Sequence, residues 1–213
     1  MRLIYRGIYK DEDQLPKSNL PVNAVQFKEP KPYEERDPLL VLSVLVSLAL
    51  VGLCVLGSYL LHGGLTINFS LLGLFLGLII ATMLILFHEI LHAIPFGRGT
   101  KVELYIVPKH LEVFVVCEKP LTKFQYIFML LLPIITLGWF PMIVWMIFPH
   151  GGLISNILLV SSYITILTGI GDYVNAYRAL YQMPNGSMHQ QSGHQSYWYM
   201  PEGNDTISAI IYE

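Results

Sequence analysis

The sequence predicts an all-α membrane protein with four transmembrane helices and a small cytosolic β-hairpin between helices two and three. Of the 213 residues, 54% are hydrophobic and 13% are charged, about half the charged fraction of an ordinary soluble domain. Four apolar stretches are long enough to cross a hydrocarbon core of about 30 Å. A polar stretch between the second and third contains two runs rich in β-branched and aromatic residues, which favour strands.

The pattern along the chain predicts three parts. Charged residues and prolines at 1–38 indicate an N-terminal arm, and residues 181–213 form a polar C-terminal tail. Between them lies a membrane domain at 39–180. Its predicted spans are 39–61, 67–94, 124–148 and 153–171, with a kink at Pro133 and the hairpin at 102–116.

The charges of the loops predict an orientation. Lys and Arg number seven in the arm, none at 62–68, five at 97–123, none at 149–152 and one, Arg178, after the fourth span. By the positive-inside rule, both termini and the central loop are cytosolic. We therefore expect a multi-pass integral protein, in the plasma membrane of a bacterium, with the lipid bilayer as a partner.

Several functions are disfavoured by composition. The formal net charge of -2 and the lack of a Lys/Arg-rich run argue against nucleic acid as a partner. Cys54 lies in an apolar run and Cys117 in a polar loop, so a disulfide framework is not expected. The first 38 residues lack the apolar core of a signal peptide, and the first span is expected to remain as an anchor.

The motif that carries chemistry is His88-Glu89-Ile90-Leu91-His92, at the end of the second apolar run. Residues i and i+4 of a helix share one face, so both imidazoles can bind one Zn²⁺ ion. Glu89 is then placed to take a proton from water as the catalytic base of a metallopeptidase. Pairing of Glu89 with Arg98 or Lys101 is the structural alternative.

A catalytic zinc needs a third protein ligand, and Asp172 is the acid that the predicted topology places best. It follows the fourth span, at the same cytosolic end as the His88 motif. Capping of the fourth helix, or pairing with Arg178 or Lys123, is the alternative role for Asp172. His110 and His194 are rival ligands in polar segments, where histidine is usually solvated surface.

These residues resemble a membrane family of "putative zincin peptidases", distantly similar to intramembrane metalloproteases of the site-2 protease type. Relatives of that type place an Asp ligand on a later helix in an Asn-Pro-Asp-Gly motif, whereas this chain has Gly171-Asp172-Tyr173. The resemblance implies a peptidase with Asp172 as third ligand. The supporting stretches are 20–25, 87–93, the hairpin, 132–133, 171–172 and 183–186.

The leading hypothesis is a membrane-embedded zinc metallopeptidase that cleaves membrane or membrane-proximal substrates at the cytosolic boundary. In it, His88, His92 and Asp172 hold Zn²⁺ and Glu89 is the catalytic base. The alternative is a non-catalytic metal-binding membrane scaffold or sensor. A small transporter is a weaker third hypothesis, because helices one and three offer no polar residue near their middle.

Overall fold

The structure is a computed structural model that describes residues 1–28, 37–64, 70–110, 112–148 and 151–201. Parts of the predicted arm (29–36), second span (67–69) and tail (202–213) lie outside these residues. The chain divides into two compact units. We call Pro32–Leu91 with Leu130–Val174 the helical unit, and Met1–Lys31 with His92–Met129 and Asn175–Glu213 the sheet unit.

Apolar helices dominate the structure. Among the described residues, three are long and apolar enough to cross a membrane: Pro38–His62, Leu71–Phe96 and Lys123–Ile147. The bent pair Gly152–Thr168 and Ile170–Gln182 makes a fourth if it is counted as one span. Many of their large side chains are exposed, as is expected of helices that face lipid. Length and composition are those of a multi-pass membrane protein.

Helix α1 spans Pro38–His62 and has clear end signals. The Asp37 carboxylate accepts a hydrogen bond from the backbone amide of Leu39 at 3.0 Å, and proline occupies the first turn. Gly63 ends the helix with a φ of 68°, a conformation that glycine adopts without steric penalty. The helix is one residue longer at each end than the predicted span.

Helix α2 spans Leu71–Ala93, and one 3₁₀ turn at Ile94–Phe96 follows it. The turn contains Pro95, which disfavours α-helix at the preceding residue. The helix therefore ends one residue after the second histidine of the motif.

The third predicted span contains three consecutive helical segments. Helix α3 spans Lys123–Pro133, a π-helical segment spans Ile134–Trp139, and helix α4 spans Phe140–Ile147. The predicted kink at Pro133 takes the form of this π segment. Proline has no N–H to continue the i→i−4 ladder, and the wider turns follow it directly.

The fourth predicted span is broken rather than straight. Helix α5 spans Gly152–Thr168, and helix α6 spans Ile170–Gln182 at an angle of 45° to it. The predicted single span at 153–171 is wrong, because α5 ends at Thr168 and residue 171 already lies in α6. Residues 170–182 alternate apolar and polar side chains at helical spacing, a pattern typical of an amphipathic helix.

Two glycines let α2 approach α5 closely within the helical unit. A Cβ atom on Gly73 would lie 2.7 Å from Cβ of Asn156, and one on Gly77 would lie 2.8 Å from Cβ of Val160. Both distances are shorter than side-chain carbons tolerate. Small residues four apart are a recurrent means of packing membrane helices against each other.

The sheet unit contains a three-stranded sheet built on the predicted hairpin. Strand β3 (Lys101–Val107) pairs antiparallel with β4 (Glu112–Val116), within the predicted 102–116. Strand β1 (Arg2–Ile8) pairs in parallel with β3, so the order is β1-β3-β4. The predicted extended arm therefore begins as a strand of this sheet.

A second sheet joins the arm, the central loop and the tail. Strand β2 (Val25–Gln26) pairs with β7 (Gln195–Tyr199), β7 with β6 (Met188–Ser192), and β6 with β5 (Leu121–Thr122), all antiparallel. An all-α class with one hairpin is thus too narrow, since the described residues form two small sheets beside the helices.

His189 is buried in the sheet unit between aromatic rings. Its ring stacks on Tyr126 with centroids 3.6 Å apart, and Phe27 lies 6.1 Å away. Among the described residues, Nε2 of His189 has no hydrogen-bond partner. Burial lowers the pKa of His189 from 6.5 to about 3, because the charged imidazolium loses its hydration there.

We expect Gly77→Ala to destabilise the protein by about 1–3 kcal/mol, because the added methyl group overlaps Val160 and the helices must move apart. Thermal unfolding in detergent measures the effect. Gly52→Ala on α1 is the matched control, since a Cβ there meets nothing within 4 Å. Equal unfolding temperatures for the two variants would contradict the close packing of α2 on α5.

We expect the free energy of unfolding to decrease at acid pH because of the buried His189. The unfolded chain takes up a proton near pH 6.5, whereas the folded chain takes it up only near pH 3, so stability is lost as the pH falls between these values. His189→Phe keeps a stacked ring but removes the titration. Unfolding temperatures between pH 7 and 4.5 should fall less steeply in this variant; parallel curves would show that His189 is not the responsible group.

Candidate metal centre

Helix α2 presents His88 and His92 on one face, one turn apart. The apolar run before them continues the helix through both positions, and Pro95 follows close after. His88 is 9% exposed and His92 is 6% exposed. Imidazoles in such surroundings need polar partners, because burial without hydrogen bonds is costly.

Asp172 reaches His88 from the first turn of α6. Its Oδ2 atom lies 2.9 Å from Nε2 of His88, and both side chains are largely buried. The carboxylate oxygen only accepts, so Nε2 of His88 carries the hydrogen in this contact. A bound cation takes the place of such a proton, because metal ligands must be deprotonated.

Gly169, between α5 and α6, determines where α6 begins and so where Asp172 lies. A Cβ atom on Gly169 would lie 2.6 Å from Cγ1 of Ile134, so the chain passes too close to the π segment for any larger residue. The Asp172 backbone amide then donates to the carbonyl of Gly169 at 3.1 Å, which starts the new helix. The break after α5 thus positions the acid within the first turn of α6.

His92 is oriented by a backbone carbonyl. Its Nδ1 atom lies 2.8 Å from the carbonyl oxygen of Met129 on α3. A carbonyl oxygen only accepts, so Nδ1 is the donor, and Nε2 is the acceptor nitrogen of a neutral ring. Histidine ligands commonly bind metal through one nitrogen while the other donates to a carbonyl in this way.

One potential ligand atom from each of His88, His92 and Asp172 lies within 4.8 Å of the others. Among the described residues, these three form the one group of at least three His, Cys, Asp or Glu side chains with this property. Tetrahedral zinc with bonds of about 2.0–2.1 Å has ligands about 3.3 Å apart. Two imidazoles and a carboxylate are ligands that suit Zn²⁺, and three protein ligands leave one of its four positions open.

Glu89 lies beside His88 on α2 and is half-buried. One residue along a helix turns the side chain by about 100°, so Glu89 flanks the face that carries the two histidines. Its role as catalytic base stays a prediction at this point.

The other histidines considered from the sequence lie elsewhere or outside the described side chains. The ring of His194 forms a hydrogen bond with the hydroxyl of Tyr9 and lies near Phe114. His62, at the other end of α1, is 3.3 Å from the carbonyl of Met146. His110 closes a 3₁₀ turn between β3 and β4, and its side chain lies outside the described part.

Sequence reasoning missed the carbonyl of Met129. Pro133 was the available signal, since a proline in a helix leaves the carbonyl four residues earlier without its usual donor. It also missed the contact in which Nε1 of Trp139 donates to the hydroxyl of Tyr173, beside Asp172. That contact joins the π segment to α6.

The protein is a candidate membrane metalloprotein. Its apolar helices bring the two histidines of an HExxH motif together with a distant aspartate. The family model described as "Putative zincin peptidase" matches residues 79–188, just over half of the chain. The chain belongs to this family. The matched region contains His88, Glu89, His92 and Asp172, together with the hairpin and helices α3 to α6. Neither the curated proteins nor the solved structures contain a significant match.

We expect the purified wild-type protein to carry about one zinc ion per chain, and His88→Ala and Asp172→Ala to lose it. Each variant removes one of three ligands, and zinc bound by two protein groups exchanges readily with a chelator. Elemental analysis after dialysis measures the content. His62→Ala, which alters a histidine on another helix, should retain zinc; loss of zinc in that variant too would show that the assay reports folding instead.

Proposed function

We propose that this protein is a membrane zinc metallopeptidase that cleaves peptide bonds of membrane or membrane-proximal substrates at the cytosolic boundary. The observation that carries the proposal is the convergence of His88, His92 and Asp172 within 4.8 Å, with Glu89 next to His88. Membership of a family of zincin peptidases supports the reaction type. Similarity to enzymes of the site-2 protease type is part of the proposal.

The three side chains would hold zinc with one position open to solvent or substrate. Bound there, zinc would supply a Lewis acid that polarises a peptide carbonyl and makes water a better nucleophile near neutral pH. The protein's part is to position the ligands. Helix α2 supplies two of them at a fixed spacing, and α6 supplies the third through the break at Gly169.

Glu89 would accept a proton from the attacking water and return it to the leaving amine. A carboxylate can perform both transfers because the same oxygen is a base before the attack and an acid after it. Its neighbour His88 would not serve in this way, because a ring nitrogen that binds zinc is not available to carry a proton. Substitution of Glu89 would therefore abolish peptide hydrolysis without removing a zinc ligand.

The sheets support the proposed orientation. Strand β1 precedes α1, and it pairs with β3, which follows α2. Strand β5 precedes α3, and it pairs with β6, which follows α6. Strands joined by backbone hydrogen bonds in water lie on one side of a bilayer, so the N-terminal strand, the central loop and the tail share a side. The excess of Lys and Arg in these segments favours the cytosol.

The depth of the site supports cleavage at the cytosolic boundary. His88 lies about 26 Å along α2 from Leu71, at 1.5 Å per residue, which is most of a hydrocarbon core of roughly 30 Å. Asp172 follows α5 by four residues, after a helix of similar length. Both residues would therefore lie near the ends of their spans, where water reaches the boundary of a bilayer.

We expect Glu89→Gln to retain zinc and to lose peptide hydrolysis by a factor of about 10²–10⁴, because the amide cannot accept the proton. Membranes from cells that express wild type or variant are compared by mass spectrometry of new protein N-termini. Glu112→Gln, at an exposed position on β4, is the matched control and should cleave as wild type does.

Two results would contradict the proposal. Cleavage products that persist in Glu89→Gln would remove Glu89 as the base. Zinc in both proteins with no product that depends on wild type would favour the alternative, a metal-binding scaffold or sensor.

A further inference from the structure

We propose that Pro133 is a positioning residue of the metal centre, because it releases the backbone carbonyl of Met129 to hold His92 in its metal-binding tautomer. The inference rests on the proposed function, since it concerns the same metal. Pro133 would not contact the metal, yet it would increase the affinity of the site for zinc.

The argument begins with helix geometry. In an α-helix, the carbonyl of each residue accepts a hydrogen bond from the N–H four residues later. For Met129 on α3 that residue is Pro133, which has no N–H. Any other residue at position 133 would supply the donor and bring the Met129 carbonyl into the helical ladder.

Burial means that the carbonyl needs another donor. Pro133 is fully buried and His92 is 6% exposed, so bulk water does not surround this turn. A buried carbonyl without a donor is destabilising by about 1–3 kcal/mol. Nδ1 of His92 is the donor found at 2.8 Å.

The carbonyls of Leu132 and Pro133 have a side-chain donor. The hydroxyl of Thr136 lies 2.8 Å from the carbonyl of Leu132 and 3.3 Å from that of Pro133. His92 is therefore matched to the carbonyl of Met129, the one whose helical donor the proline removes.

The tautomer follows from this contact. An imidazole that donates through Nδ1 in its neutral form has its lone pair on Nε2. Without a carbonyl acceptor, the hydrogen is free to occupy either nitrogen, and the ring is free to rotate. Loss of such an outer hydrogen bond typically weakens metal binding 10–100-fold.

The test measures zinc affinity by chelator competition in the purified full-length protein. Pro133→Ala restores an N–H that competes with His92 for the carbonyl of Met129, so we expect zinc to bind at least about tenfold more weakly. The unfolding temperature should not fall, because alanine is the better helix former. Pro141→Ala, in α4 of the same span, is the matched control and should bind zinc as wild type does.

A backbone substitution separates the missing N–H from the rigid ring. Lactic acid incorporated at position 133 in place of proline has neither an N–H nor a ring, and it leaves the Met129 amide intact. We expect this ester variant to bind zinc nearly as tightly as wild type does.

The outcomes distinguish the two proposals. If wild type binds no zinc, or His88→Ala binds it as tightly, the metal centre itself is wrong. If wild type binds zinc and Pro133→Ala binds it equally tightly, only the role of Pro133 is overturned. Weak binding by the ester variant, or equal weakening in Pro141→Ala, would also overturn it, because the missing N–H would not be the cause.

Discussion

The structure depends on a contact between a carboxylate and an imidazole, Asp172 and His88, on helices whose other side chains are mostly apolar. Asp172 and His88 approach to 2.9 Å, and glycines let α2 pack closely on α5 and let the chain after α5 pass close to Ile134. Charges in apolar surroundings are stable only when they are paired or bound to a cation. The site is thus held by the same close packing that holds the helices.

Much of this structure follows from hydropathy and spacing. The long apolar runs identify both ends of α1 and the end of α2 to within one residue, since an uncharged stretch of more than 20 residues has few alternatives. Spacing of i and i+4 brings His88 and His92 together on any helix. Grouping with Asp172 was predicted from a shared level in the membrane. One potential ligand atom of each of the three residues lies within 4.8 Å of the others, and their role as zinc ligands stays a prediction.

The features that were missed depend on contacts between distant parts of the chain. Strand β1 pairs with residues about a hundred positions later, and β2 has only two residues, too few for any periodic pattern. The break at Gly169 depends on how near Ile134 lies, which no local pattern records. Helix propensity marks Pro133 only as a helix breaker. It does not predict that the carbonyl freed by this proline accepts a hydrogen bond from a histidine on another helix.

The parallel pairing of β1 with β3 affects how the chain is made. Arg2–Ile8 precedes its partner strand in the chain by about a hundred residues, and the two apolar helices α1 and α2 lie between them. Until β3 is available, the backbone N–H and C=O groups of β1 lack their native partners. Unpaired strands of this kind are prone to pair with other chains. The sheets can therefore close only after the chain has passed through α1 and α2, so they form late in assembly.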